Sequence, residues 1–95
     1  MDIGMVGLGK MGGNMALRLL RGGHRVVGFD LDPEAVATVV SEGADTAADM
    51  AEMAAKLPAP RAVWIMVPAG SIVDRVIDDL VPHLEQGDVM IDGGN

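Results

Sequence analysis

Cysteine is absent from the 95 residues, which excludes a disulfide framework and any thiolate metal site. Tyrosine is absent too, and phenylalanine and tryptophan occur once each. The single tryptophan, Trp64, sits inside an apolar run and is read as a core residue, not a stacking platform. Basic residues are few: seven Lys and Arg stand against fourteen Asp and Glu, for a net charge of −7. That balance disfavours nucleic acid as a partner. No stretch approaches the roughly 20 apolar residues of a membrane span, so no membrane partner is expected. The amino terminus enters a strand at once, which argues against a signal peptide. Cytoplasmic localisation fits these absences.

What is present is a chain nearly half apolar, of a length suited to one small domain. Such a chain buries only about 60–65% of its unfolded surface. Its charge is uneven. Residues 1–25 carry four basic groups and one acid (+3), and the remainder carries three basic groups and thirteen acids (−10). The positive end could attract an anionic ligand, but Arg18, Arg21 and Arg25 read more simply as solvating a helix and its exit loop. His24 and His83 lie at element ends without a serine, cysteine or metal-ligand partner at suggestive spacing, and no role is assigned to them. No metal site is expected.

Strand-like and helix-like runs alternate. Asp2–Val6 reads as a strand and Lys10–Arg21 as a helix with Met11, Met15 and Leu19 on one face. Gly22-Gly23 should end that helix in a left-handed turn. Arg25–Phe29 is a second strand, apolar as a strand covered on both faces should be. Asp32 is placed to cap a helix with Pro33 at its first position, running to about Glu42. A very short third strand is expected near Ala44, then a helix over Ala47–Leu57. Ala62–Val67 is the strongest strand signal. Ser71 can cap a helix carrying Val73, Val76, Ile77, Leu80, Val81 and Leu84 at a 3.6 period. Val89–Ile91 is a fifth strand. Met5, Met11, Met15 and Met66 read as packing residues. The alternation predicts an α/β fold, a doubly wound parallel sheet of Rossmann type with strand order 3-2-1-4-5.

The first crossover carries the chemistry. The strand leads into Gly7-Leu8-Gly9-Lys10-Met11-Gly12, a Gly-x-Gly-x-x-Gly turn that opens a helix, and an acid, Asp30, ends the next strand. This is the order a dinucleotide-binding βαβ unit needs. Gly7 permits the tight turn, Gly9 lets backbone approach a pyrophosphate, and Gly12 lets the helix pack on the strand. Asp30, eighteen residues past Gly12, is placed to accept hydrogen bonds from the adenosine ribose. That selects NAD. A 2′-phosphate about 4 Å from the carboxylate would cost about 1 kcal/mol in bulk water and about 4 at an effective dielectric near 20. The expected preference for NAD over NADP is roughly ten- to several-hundred-fold. Lys10 either adds charge near the pyrophosphate or starts a helix in solvent. Ligands of such sheets bind beyond the carboxyl ends of the strands, where Gly7–Gly12, Asp30, Val67–Ala69 and Gly93–Asn95 should converge.

Gly7–Met15, Val67-Pro68-Ala69-Gly70 and Ile91-Asp92-Gly93-Gly94-Asn95 together resemble the amino-terminal domain of decarboxylating 6-phosphogluconate dehydrogenase, along the whole chain. The glycine turn is shared with the wider β-hydroxyacid dehydrogenase group, and the Ile-Asp-Gly-Gly-Asn ending is more specific. The resemblance implies oxidative decarboxylation of 6-phosphogluconate to ribulose 5-phosphate, a pentose phosphate pathway step, with hydride passing to NAD. It implies that Gly7, Leu8, Gly9, Lys10, Met11 and Gly12 contact the pyrophosphate, that Val67, Pro68 and Ala69 line the cofactor cleft, and that Asn95 touches cofactor and substrate. NADP-using members commonly carry Asn-Arg where this chain has Phe29-Asp30-Leu31, and often Lys at Pro68, so the NAD-preferring type is expected. In the family, the substrate loop, the general-base lysine, the acid and a helical dimerisation domain follow later. Residues 1–95 are therefore read as a truncated NAD-binding domain with no catalytic residue of its own, expected to bind NAD without turnover. The parent is expected to be a homo-oligomer. An exposed apolar edge at the fifth strand would favour self-association. Alternatives are another β-hydroxyacid dehydrogenase, a methyltransferase domain with an acid after its second strand, and a non-catalytic binding or folding module.

Overall fold

From the amino end the chain runs β1 (Asp2–Val6), α1 (Lys10–Arg21), β2 (Arg25–Phe29), α2 (Pro33–Ser41), β3 (Asp45–Thr46), α3 (Met50–Lys56), β4 (Ala62–Ile65), α4 (Ser71–Leu80) and β5 (Val89–Asp92). A 3-10 turn at Val81–His83 joins α4 to the loop before β5. The computed structural model describes residues 1–67 and 70–93. All five strands are parallel, in the order β3-β2-β1-β4-β5, as the alternating pattern predicts.

The sheet is covered on both faces, and that is why its central strands read as unbroken apolar runs. Side chains alternate across a strand. Met5 and Val26 point to one face, where they pack with Leu8, Ala16 of α1 and Val39 of α2. Val6, Val27 and Val63 point to the other, against Met50 and Met53 of α3 and Leu80 of α4. β5 lies at the edge and stays largely exposed, with Val89 at 50%.

Several boundaries differ from expectation. The third strand is Asp45–Thr46, one residue past Ala44. α3 begins at Met50, not Ala47, because Asp49 caps it by accepting a hydrogen bond from the Glu52 N–H at 2.8 Å. β4 ends at Ile65, although the Met66 N–H still donates to the Val6 carbonyl at 2.7 Å. Gly70, with φ of 107°, takes the cap position of α4, and Ser71 is its first helical residue. α4 stops at Leu80 because Pro82 lacks an N–H and its ring would clash with the carbonyl four residues back. Val81 is consequently exposed, and so is Met11 at 64%, outside the packed face that Met15 and Leu19 share.

Arg25 has a structural job the sequence did not suggest. At the amino end of the sheet its guanidinium donates to Asp2 at 3.2 Å, Asp45 at 3.1 Å and the Lys56 carbonyl at 2.7 Å, tying β1, β2, β3 and α3 together. Lys56 completes the group by donating to Asp45 at 3.1 Å. At the same end Asp88 receives the backbone N–H groups of Arg61 and Glu85 and the Arg61 guanidinium.

Candidate functional site

The opposite end of the sheet, at the carboxyl ends of the strands, holds the glycine turn. Gly7 leaves β1 with φ of 98°, a conformation that costs little only for glycine, and its N–H donates to the Phe29 carbonyl at 2.8 Å. Three residues later α1 begins. A Cβ on Gly12 would run into the Gly7 carbonyl oxygen, so only glycine lets the helix start this close to the strand. Gly9 caps α1 without a side-chain hydrogen bond, and the first turn carries no acid. The first four N–H groups of a helix have no partner inside it, and the dipole adds partial positive charge there. A Cβ on Gly9 would meet nothing within 4 Å, so the cradle in front of these amides is open. Backbone donors of this kind suit a pyrophosphate. α2 and α3 differ: Asp32 and Asp49 cap them, with Glu34 and Glu52 in their first turns.

Asp30 is joined to the turn directly. Its Oδ2 accepts the Leu8 N–H at 2.7 Å and its Oδ1 accepts the Asp32 N–H at 2.8 Å. The carboxylate thus braces the glycine turn against the end of β2. A carboxylate has about four lone-pair sites, so each oxygen keeps capacity for a hydroxyl donor.

Between the turn and α4 lies a cavity of about 750 Å³. Gly7 and Gly9 form one wall, Phe29, Asp30 and Leu31 a second, Ala48, Asp49 and Met50 a third, and Met66, Val67 and α4 a fourth. Ile72, Arg75, Val76 and Asp79 recur at helical spacing along α4 and present one face to it. The sheet order reverses at β1 and β4, so the cavity sits at the topological switch point, where open α/β sheets bind ligands.

The sequence-predicted residues distribute unevenly. Gly7, Gly9, Asp30 and Val67 line the cavity together. Leu8 is buried behind the turn and packs in the core. Gly12 is buried at the helix start. Lys10 lines a separate, smaller cavity between α1 and α2. Met11 is exposed and lines neither. Pro68, Ala69 and Asn95 lie outside the described residues. The sequence reading missed Leu31, Asp49 and the face of α4. An apolar residue directly after Asp30 was the one detectable signal, and the structure has that residue, Leu31, 90% exposed. Among the described residues no group of three or more His, Asp or Glu could hold a metal.

A family model described as the NAD binding domain of 6-phosphogluconate dehydrogenase matches residues 2–95. This chain belongs to that family. The NAD(+)-dependent, decarboxylating 6-phosphogluconate dehydrogenase of Haloferax volcanii is 47% identical over 95 residues, covering 100% of this chain and 32% of the relative. The decarboxylating 6-phosphogluconate dehydrogenase of Haemophilus ducreyi is 43% identical over 99 residues, covering 99% of this chain and 20% of the relative. The chain thus spans a fifth to a third of the length of these relatives.

Solved structures agree. The Plasmodium falciparum 6-phosphogluconate dehydrogenase, described with its cofactor NADP+ and with 6-phosphogluconate, superposes with a TM-score of 0.87 at 30% identity, covering 99% of this chain and 21% of that one. The Mycobacterium tuberculosis 3-hydroxyisobutyrate dehydrogenase superposes with a TM-score of 0.88 at 30% identity, covering 98% and 31%. The chain is an NAD(P)-binding domain of the β-hydroxyacid dehydrogenase type. An uncapped helix behind a glycine turn, facing an open cavity, is consistent with that membership.

Proposed function

We propose that residues 1–95 form the cofactor domain of an NAD-dependent, decarboxylating 6-phosphogluconate dehydrogenase whose catalytic groups lie outside this chain. The observation that carries the cofactor assignment is the open start of α1 beside a carboxylate, Asp30, that lines the same cavity and has acceptor capacity beyond its two backbone bonds. The amides of Gly9 to Gly12 would hold the pyrophosphate, with Lys10 and Met11 at the same turn. Asp30 would hold the adenosine ribose, and Val67, Pro68 and Ala69 would line the cleft. Asn95 would meet cofactor and substrate, since an amide offers both donors and an acceptor. NAD, when bound, would supply the hydride acceptor for oxidising 6-phosphogluconate, whose carboxylate leaves as carbon dioxide to give ribulose 5-phosphate.

The preference for NAD rests on Asp30 and on the lack of a basic residue directly after it: Leu31, Asp32 and Pro33 follow. The NAD(+)-dependent Haloferax relative supports the same reading. A cytoplasmic homo-oligomer is the assembly proposed for the parent, and the exposed β5 edge would favour self-association of the chain. Another β-hydroxyacid dehydrogenase is the second reading, favoured by the close superposition on 3-hydroxyisobutyrate dehydrogenase.

Calorimetric titration with NAD, NADP and S-adenosylmethionine tests the cofactor assignment. NAD should bind at least about tenfold more tightly than NADP, and S-adenosylmethionine should not bind. Equal affinity for the two dinucleotides would overturn the NAD preference. Binding of S-adenosylmethionine alone would overturn the whole reading.

A further inference from the structure

We propose that Asp49 is a second specificity residue, whose carboxylate helps exclude a 2′-phosphorylated dinucleotide from the cleft; this rests on the cofactor assignment above. The inference comes from strand register. Gly28 of β2 sits beside Thr46 of β3, and the Ala47 N–H donates to the Gly28 carbonyl at 3.0 Å. Asp30 lies two residues past Gly28 and Asp49 three past Thr46. Neighbouring strands are about 4.8 Å apart, so the two acids leave adjacent strands at one rim. Both line the same cavity. The ribose that Asp30 is placed to hold would lie at this rim, and so would a phosphate on its 2′-oxygen.

Three observations make Asp49 more than a bystander. First, both oxygens of Asp30 already accept backbone N–H groups, from Leu8 and Asp32, which partly offsets its charge. Asp30 alone is therefore a weaker barrier to an anion than a bare carboxylate. Second, the start of α3 would otherwise offer donors to a phosphate, but the chain's own carboxylates take them. Asp49 accepts the Glu52 N–H at 2.8 Å, and Glu52 accepts the Ala48 N–H at 2.9 Å. Third, the charged residues lining the cavity are Asp30, Asp49 and Asp79 against Arg75, a sum of −2. Asp79 follows Arg75 by one helical turn on the same face, so among the described residues the lining stays net negative around Arg75. A neutral-sugar dinucleotide tolerates this field, and an added phosphate dianion does not.

The test separates charge from capping. Asn and Ser cap a helix about as well as Asp, so Asp49→Asn and Asp49→Ser keep α3 while removing the charge. For charges on the order of 10 Å apart, each variant should tighten NADP binding about three- to tenfold and change NAD binding less than about twofold. The gain should shrink in 1 M salt, where the screening length falls to about 3 Å; a merely structural role for Asp49 would show no such dependence. Combining Asp49→Asn with Asp30→Asn should relax discrimination further than Asp30→Asn alone. An unchanged NADP-to-NAD ratio in both Asp49 variants, with NAD still binding, overturns the proposal and leaves the cofactor assignment standing. Binding of neither dinucleotide to the unaltered protein overturns both.

Discussion

Gly12 shows how one missing methyl group shapes the site. Gly12→Ala gains about 1 kcal/mol of helix propensity. It also drives a Cβ into the Gly7 carbonyl, which is backbone and cannot rotate away. Overpacking of this kind costs about 1–3 kcal/mol or more, and against unyielding backbone the upper end applies, so the variant should be net destabilised by about 2 kcal/mol in urea unfolding, with weakened NAD binding as α1 is pushed off β1. Asp88 acts at the other end of the sheet. The Arg61 N–H, then the Glu85 N–H and the Arg61 guanidinium, hold its carboxyl below the ordinary value of 3.8. A lowered folded pKa stabilises the protein fully above the unfolded pKa, and that contribution disappears as pH falls through the folded value. Asp88→Asn should therefore be less stable than the unaltered protein at neutral pH, and the gap should close as pH drops below about 3.8, read from thermal unfolding across pH. Asp45 is lowered too, chiefly by its hydrogen bond from Lys56, but at 41% exposure solvent screens it, whereas the Asp88 side chain is 1% exposed.

Among the elements, the helices divide by how they begin. α2 and α3 start on aspartates that satisfy their own amides, and α1 starts on a glycine that leaves them open. This contrast was legible in part. Asp32-Pro33 is a cap signal, and the structure has Asp32 accepting the Glu34 N–H at 3.0 Å. Asp32→Ala should cost about 1 kcal/mol of stability, measured by chemical denaturation, without altering NAD affinity beyond about twofold. Asp49 was not legible as a cap, because Ala47-Ala48 looks equally helical by propensity. Only the tertiary position of β3, which ends at Thr46, decides that the chain is still extended there. The same limit applies at α4, where the apolar period runs on to Leu84 while Pro82 makes the α-helix stop at Leu80, four residues earlier.

For the molecule as a whole, one cavity at the switch point gathers residues from four separate stretches of sequence. A ligand that binds only the folded state stabilises it by mass action. NAD at 100 times its dissociation constant should add about 2.7 kcal/mol. For a domain of this size that corresponds to a rise in Tm of about 10 °C or more, which scanning calorimetry would show. No rise at saturating NAD would count against the cofactor assignment.

The alternation of apolar runs with helical periods determined the five parallel strands and their order, since short crossovers of one hand leave few other topologies. The glycine spacing and Asp30 likewise announced the turn and its acid, because backbone geometry near Gly7 and Gly12 admits no other residue type at low cost. Which residues face that turn was decided only by the tertiary structure. Leu31, Asp49, Ile72 and Arg75 acquire their meaning from strand order and helix rotation, which bring distant segments to one rim. Arg25, read from sequence as a solvating charge, proved to knit three strands and a helix together for the same reason: its partners are 20 or more residues away and become neighbours only on folding.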